Sequence, residues 1–283
     1  MPGTLFVVAT PIGNLEDITG RALRVLREAS IIAAEDTRRT AHLLARYAIT
    51  TPTTSLHEHN EAQKTGPLVA RLERGESIAL VSDAGTPTIS DPGHRLIKEA
   101  IDAGIRVEPI PGPNAVIAAL AVSGLPTDSF SFLGFPPTRS KARAEWFDRA
   151  RSVGGTIVFF EAPHRIRETL DQLRNEVGDC QVAVCRELTK VHEEMVRGPI
   201  TRVMSEISSS IGEFTVVADI GHTTESASTA AAPTPAELLA ELGYLTKQDK
   251  LSRRSAVTAL AKRYRMGANA IYRLIETAKA SGE

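Results

Sequence analysis

An uninterrupted apolar run, Ile78-Ala79-Leu80-Val81, leads directly into Ser82-Asp83-Ala84-Gly85-Thr86-Pro87-Thr88-Ile89-Ser90-Asp91-Pro92-Gly93, where a helical pattern begins. Few folds accommodate that succession. A strand of Ile, Leu and Val without polar alternation is buried on both faces, as strands of parallel sheets are. The turn after it contains Gly85, which tolerates unusual backbone angles and lets a ligand approach the main chain closely. Sheets of this kind bind ligands beyond the carboxyl ends of their strands. An ordinary strand-to-helix turn is the competing reading of the same residues.

Strand-like runs alternate with amphipathic helical patterns through most of the chain. Residues 5–9, 31–34, 78–81 and 106–110 read as strands. Residues 18–29, with Thr19 as cap, 38–47 and 92–103 read as helices. This alternation predicts a largely parallel sheet with helices on both faces. Pro111-Gly112-Pro113 breaks the rhythm as a hinge, after which Asn114 caps a helix of small residues at 115–122 that ends at Gly124. Further strands are expected at 130–133, 156–160, 182–185, 193–196 and 214–218, with helices at 141–151, 164–177 and 201–210. The short spacing suggests a second α/β region with more antiparallel pairing. Residues 222–235, rich in Thr, Ser and Ala, read as a flexible linker. The expected organisation is therefore an α/β protein: an N-terminal α/β domain at 1–112, a C-terminal α/β domain at 113–222, a linker at 223–234 and a helical extension at 235–283.

Hydrophobic content of 42% with 24% charged residues describes a globular chain and excludes a disordered one. The amino terminus lacks the basic and apolar regions of a signal peptide, and no apolar run approaches a membrane span. Cys180 and Cys185 form no CxxC pair and are expected to be reduced core thiols, which fits a cytoplasmic location.

With 33 basic against 34 acidic residues, no overall affinity for polyanions is expected, so a nucleic-acid surface must be local. The extension supplies one. Residues 235–283 carry nine Lys or Arg against five Asp or Glu, leaving 24 basic and 29 acidic residues elsewhere. Arg253, Arg254, Lys262, Arg263, Arg265 and Arg273 are concentrated enough for phosphate contacts. Val257, Leu260, Ala261 and Tyr264 share one helical face, and Ile271, Leu274, Ile275 and Ala278 another, with Gly267 between them. A solvated helical pair used for packing is the plainer reading.

Thr10-Pro11-Ile12-Gly13-Asn14-Leu15 ends the first strand without GxGxxG spacing, and no Walker-type loop occurs. The expected ligand is thus a nucleoside without phosphates, held by main-chain groups and apolar walls. Glu35-Asp36-Thr37-Arg38-Arg39 suits either a polar cleft or a salt-bridged helix start. Phe160-Glu161-Ala162-Pro163-His164-Arg165 and Arg186-Glu187-Leu188-Thr189-Lys190 place acidic, basic and imidazole groups just after hydrophobic strands, where side chains converge. Neither His57-Glu58-His59 nor His192-Glu193-Glu194 has zinc-site spacing, and no metal is expected.

Taken in order, Thr10–Thr19, Ala34–Arg38, Ser82–Gly93, Pro111–Ala115, Phe160–Arg165 and Arg186–Lys190 closely resemble a family of bacterial enzymes. These methylate a cytidine 2′-oxygen of small-subunit (16S) ribosomal RNA and belong to the tetrapyrrole methylase superfamily, the class III methyltransferases. The resemblance reaches to about residue 220 and includes the helical tail. It implies a homodimer with S-adenosylmethionine bound in a cleft between two α/β domains. By motif position, the cofactor would touch Pro11, Asp83, Gly85, Thr86, Ile89, Asn114, Ala115 and Phe160. Candidates for the chemistry are Glu161, His164, Arg165, Arg186, Glu187 and Lys190. Of these, Glu161 or Glu187 is assigned to proton handling, and Arg186 and Lys190 to positioning phosphate or stabilising charge. Two alternatives stand beside this reading: a small-molecule (tetrapyrrole) methyltransferase and a non-catalytic RNA-binding assembly factor of the ribosome.

Overall fold

A computed structural model describes residues 2–208, 211–221, 234–247, 252–263 and 271–276. The chain divides into two compact units, Met1–Gly221 and His222–Glu283.

The first sheet of the larger unit forms from runs that bury both faces. Its strands are β1 (Thr4–Val8), β2 (Ile31–Ala34), β3 (Thr53–Ser55), β4 (Ile78–Val81) and β5 (Arg106–Ile110), ordered β3-β2-β4-β1-β5 and all parallel. The helices between them are α1 (Gly20–Glu28), α2 (Thr37–Arg46), α3 (Glu61–Glu73) and α4 (His94–Asp102). Successive side chains of β4 point to opposite faces. Ile78 and Leu80 pack with Leu68 and Leu72 of α3 and Leu96 of α4. Ala79 and Val81 pack with Val25 and Leu26 of α1 and Leu43 of α2. Helices cover both faces, as the alternation requires.

Residues 53–55 and 61–73 carry no element in the sequence reading. β3 is a three-residue polar edge strand, and Gly66-Pro67 sits inside α3 and disguises its periodicity. Burial of Thr65, Leu68 and Leu72 overrides that local penalty. The caps are read correctly. Thr19 Oγ1 accepts from the Ala22 amide at 3.1 Å, and Asn114 Oδ1 accepts from Val116 and Ile117 at 3.0 and 3.2 Å.

The second sheet comprises β6 (Phe130–Phe132), β7 (Thr156–Glu161), β8 (Gln181–Arg186), β9 (Glu194–Pro199) and β10 (Phe214–Asp219), ordered β6-β7-β10-β8-β9. β6 and β7 pair in parallel; the remaining pairs are antiparallel. α5 (Ala115–Ser123) covers one face, with Val116, Ala119 and Leu120 against Val158, Ala183 and Val217. Helices α6 (Ser140–Val153), α7 (Ile166–Val177) and α8 (Ile200–Glu206) cover the other, over Ile157 and Phe159. Cys185 is buried and Cys180 partly so; both are free, and burial pushes both thiols up to about 11.

In the smaller unit, α9 (Pro235–Lys247), α10 (Arg253–Arg263) and helical residues 271–276 share a core of Leu238, Leu242, Val257, Leu260, Ile271 and Ile275. Linker residues 223–233, Tyr264, Gly267 and Ala278 lie outside the described residues. Among the described residues no helix is long and apolar enough to cross a membrane.

Gly93 starts α4 at φ +117°, and a Cβ there would come within 2.7 Å of Leu80 Cδ2. Gly93→Ala should therefore lower the stability of the larger unit by about 1–3 kcal/mol, read as a shift in the urea midpoint.

Candidate active site

The turns after β1 and β4 are tied together at the carboxyl end of the first sheet. The Thr10 amide donates to Gly85 O at 2.8 Å, and the Gly85 amide donates back to Thr10 O at 3.0 Å. Gly85 adopts φ +78°, which permits this approach. Thr88 and Ser90 are also left-handed, at +74° and +67°, an unfavourable state for a threonine that marks strained, functional turns.

Beyond these turns lies a cavity of about 370 Å³, within the usual range for ligand pockets. The 82–93 turn contributes Asp83, Gly85, Thr86, Ile89 and Asp91. Glu35 and Arg39 enter from the α2 end, and Asn114 and Ala115 from the start of α5. Asn114 both caps α5 and reaches Thr86 Oγ1 with Nδ2 at 3.4 Å, linking the helix to the turn. The second sheet supplies Phe160, Glu161 and, from the loop after β6, Phe135. The Phe135 and Phe160 ring centroids are 5.3 Å apart, and Phe135 remains 52% exposed. Leu188 and residues 212–215 complete the wall.

One end of the cavity is acidic. The Asp36 amide donates to Asp83 Oδ1 at 3.0 Å and the Asp83 amide to Glu35 Oε2 at 3.2 Å. Arg39 lies 3.3 Å from Asp83. Burial raises the Glu35 carboxyl above its usual range, and the charges of Asp83 and Asp36 add to it, against the Asp83 amide and Arg39. Burial likewise pushes Asp91 up to about 6, reinforced by Glu35 and Asp83 and opposed by a hydrogen bond with Ser82. Asp36 goes the other way: its hydrogen bonds with Arg38 hold it well below the carboxylate range. The Glu35–Arg39 run thus satisfies both sequence readings, with Asp36 and Arg38 forming the helix start and Glu35 and Arg39 facing the cavity.

A pH dependence follows. Because the folded protein binds the Asp91 proton more tightly than the unfolded chain does, this group's stabilisation is complete below pH 3.8 and is lost as pH rises through about 6. Asp91→Asn should remove that loss, raising stability at pH 7.5 relative to pH 4 by about 1 kcal/mol after solvent screening of the half-buried site. Denaturant titrations of both proteins at the two pH values check it.

Of the residues expected at the cofactor, Asp83, Gly85, Thr86, Ile89, Asn114, Ala115 and Phe160 line this cavity. Pro11 is buried and off its wall, while its neighbour Ile12 lines it. The catalytic candidates do not converge there. Glu161 lines the wall, but its side chain is 0% exposed and both oxygens are taken: Oε1 by Arg165 at 2.5 Å and the Ala162 amide at 2.7 Å, Oε2 by Thr169 at 2.5 Å. Its lone pairs are thus occupied within the protein. Arg186, Glu187 and Lys190 stand off the cavity wall. Arg186 pairs with Glu194 at 2.8 Å. Lys190 Nζ binds Glu187 at 2.9 Å and Glu213 at 3.0 Å. Partial burial opposes it, yet those two carboxylates raise the Lys190 ammonium above its usual range, so it stays charged. Burial also pushes Glu187 upward, but Lys190 and the Glu213 amide outweigh it and hold the carboxyl low.

Sequence reasoning missed Ile12, Asp91, Phe135, Leu188 and Glu213. Asp91 and Leu188 stood inside motifs already singled out; Phe135 and Glu213 sit in loops whose sequence carries no signal. On the basic tail, Arg253 is exposed, pairs with Glu276 at 2.5 Å and lies over the Tyr272 ring at 5.5 Å. Arg254, Lys262 and Arg263 belong to α10 and Arg273 is exposed at 271–276, whereas Arg265 lies outside the described residues.

Residues 4–203 match the family model of tetrapyrrole (corrin/porphyrin) methylases. A Vibrio cholerae protein named ribosomal RNA small subunit methyltransferase I is 44% identical over 278 residues, 95% of this chain and 93% of that protein. A Thermotoga maritima protein of the same name is 46% identical over 217 residues, which make up 97% of that protein but 76% of this chain. Among solved structures, a diphthine synthase aligns with a TM-score of 0.59 at 16% identity, covering 76% of this chain and 90% of its own; the likeness is one of fold.

Proposed function

Since the chain belongs to the tetrapyrrole (corrin/porphyrin) methylases and is a methyltransferase, we propose that it transfers a methyl group from S-adenosylmethionine to small-subunit (16S) ribosomal RNA, at a cytidine 2′-oxygen. The observation that carries this reading is the cavity itself. It has an acidic end of Glu35, Asp83 and Asp91, an apolar and aromatic wall of Ile12, Ile89, Phe135 and Phe160, and no glycine-rich phosphate cradle. That combination suits a phosphate-free nucleoside carrying positive charge. When bound, S-adenosylmethionine supplies an electrophilic methyl carbon on a cationic sulfur.

The chain's own residues perform the rest. Asp83 and Glu35 complement the ligand's cationic groups, while Asn114, held by both α5 and Thr86, fixes the floor. Ala115 leaves room at the helix start, and the aromatic rings exclude water. Alignment of this kind supplies several kcal/mol towards a displacement reaction. The vibrio relative's name supports a ribosomal RNA substrate, and the basic helical unit supplies cations for phosphates. In this reading the enzyme is a cytoplasmic homodimer, and the exposed Ile117 and Val122 of α5 offer an apolar surface to the second copy.

Incubation with radiolabelled S-adenosylmethionine and either immature small ribosomal subunits or a tetrapyrrole precursor tests the proposal. Label is expected in the ribosomal RNA. Label in the tetrapyrrole would make the protein a small-molecule methyltransferase, and donor binding without any transfer would make it an assembly factor.

A further inference from the structure

A second depression, of about 360 Å³, adjoins the first: Ile12 and Asn114 border both. Asp17, Thr19, Pro113, Ala118 and Thr189 line the remainder. Two of these carry side-chain oxygens that are buried and have no hydrogen-bond partner, Asp17 Oδ2 and Thr189 Oγ1. A buried oxygen left unpaired is costly, and two at one depression point to a ligand that satisfies them.

The backbone around both oxygens is held in place. Asp17 ends a short 3-10 turn, Leu15–Asp17, whose start is capped by Asn14 Oδ1 accepting from the Glu16 amide at 3.0 Å. Thr189 is a β-branched residue at φ +66°, a conformation that persists only when its surroundings impose it. They do: the Thr189 amide donates to Glu193 Oε2 at 2.6 Å, and Lys190 is clamped by Glu187 and Glu213. Glu187 is itself left-handed, at +53°. Arg186, Glu187 and Lys190, brought to notice as chemical groups, thus build the support of this loop.

We propose that this depression seats the acceptor ribose, with Asp17 Oδ2 taking the 2′-hydroxyl proton and Thr189 Oγ1 donating to the adjacent 3′-oxygen. The inference rests on the ribose-methylating reading above. Among the other carboxylates considered for the task, Glu161 has both oxygens engaged and Glu187 has Oε1 held by Lys190 and the Glu213 amide, whereas Asp17 Oδ2 is unpaired. As the 2′-oxygen bonds to the methyl carbon, the carbon–sulfur bond breaks with its electron pair left on sulfur, and the proton passes to Asp17. Positive charge on sulfur and negative charge on the carboxylate disappear together.

The test uses the full chain and the variants Asp17→Asn and Thr189→Val. Thr189→Val keeps the β-branched shape and so the same backbone strain. Expected for Asp17→Asn is a single-turnover methylation rate on small subunits at least about 100-fold below wild type. For Thr189→Val the expected loss is about 3- to 10-fold. Both variants should bind S-adenosylhomocysteine as the wild type does. By ligand-observed NMR with saturating S-adenosylhomocysteine, the wild type should prefer cytidine to 2′-deoxycytidine, and the double variant should not distinguish them. An Asp17→Asn rate near wild type, loss of S-adenosylhomocysteine binding in step with the rate, or a wild type indifferent to the 2′-hydroxyl overturns the assignment. A wild type that labels a tetrapyrrole instead of RNA overturns the parent reading, which the variant comparison does not address.

Discussion

Glu161→Ala is expected to destabilise the protein by about 3–5 kcal/mol, a loss visible as a large fall in the urea midpoint at neutral pH. The Glu161 side chain is fully buried, and Arg165, its partner at 2.5 Å, is only 15% exposed. Truncation would strand that guanidinium, whose Nη1 already lacks a partner. It would also free Thr169, which joins Glu161 to Arg143 through a 2.6 Å hydrogen bond, and Arg143 in turn holds Gln172 at 2.6 Å. Removing one member of a buried ion pair costs more than the pair's net worth, because the remaining charge is left in a poor solvent. Glu161→Gln, which keeps the shape and part of the hydrogen bonding, should cost less, about 1–3 kcal/mol. The same variant separates architecture from catalysis. If Glu161 served as proton acceptor, Glu161→Gln would fold with near-normal stability and fail only in turnover. The expected result is the reverse, with lost stability and partly retained activity at low temperature.

Deleting residues 235–283 is expected to weaken binding to small subunits while leaving S-adenosylhomocysteine affinity unchanged. The cavity is lined wholly by residues of the larger unit. The deletion removes Arg253, Arg254, Lys262, Arg263, Arg265 and Arg273. Each Lys or Arg lost from a phosphate contact lowers the salt slope of binding by about 1, so a fall of about 3–5 is expected if most of the six engage RNA. Near physiological salt that corresponds to a loss of roughly 100-fold or more. Titrations of both proteins across a salt series, with calorimetry of S-adenosylhomocysteine, measure it. Parallel loss of both affinities would make the tail a structural support.

Much of the architecture was legible because its signals are local. The apolar run at 78–81 requires a doubly covered strand, and Thr19 and Asn114 announce helix starts by accepting hydrogen bonds from the next turn. Edges and dilute helices were not legible. β3 has three polar-to-middling residues, and α3 contains Gly66-Pro67; both are stabilised by neighbours distant in sequence. Most of the cavity residues expected from motif positions could be read from the sequence because Asp83, Gly85, Thr86 and Ile89 sit on one turn after β4 and Asn114 and Ala115 at the capped start of α5. Phe135 could not, since only the pairing of β6 with β7 brings its loop beside Phe160.

The sequence by itself determined that this is an α/β chain with a Gly- and Asp-rich turn after β4 and a basic helical tail, since periodicity, capping and turn chemistry act over a few residues. Only the tertiary structure decided which ionisable groups are free to react. Glu161 and Glu187 look like better bases than Asp17 along the chain. In the fold, Glu161 is consumed by Arg165 and Thr169, and Glu187 Oε1 is held by Lys190 and the Glu213 amide, while Asp17 keeps an unpaired oxygen in the depression that Thr189 also lines. The reactivity of a carboxylate depends on what occupies its lone pairs, and those occupants come from distant parts of the chain.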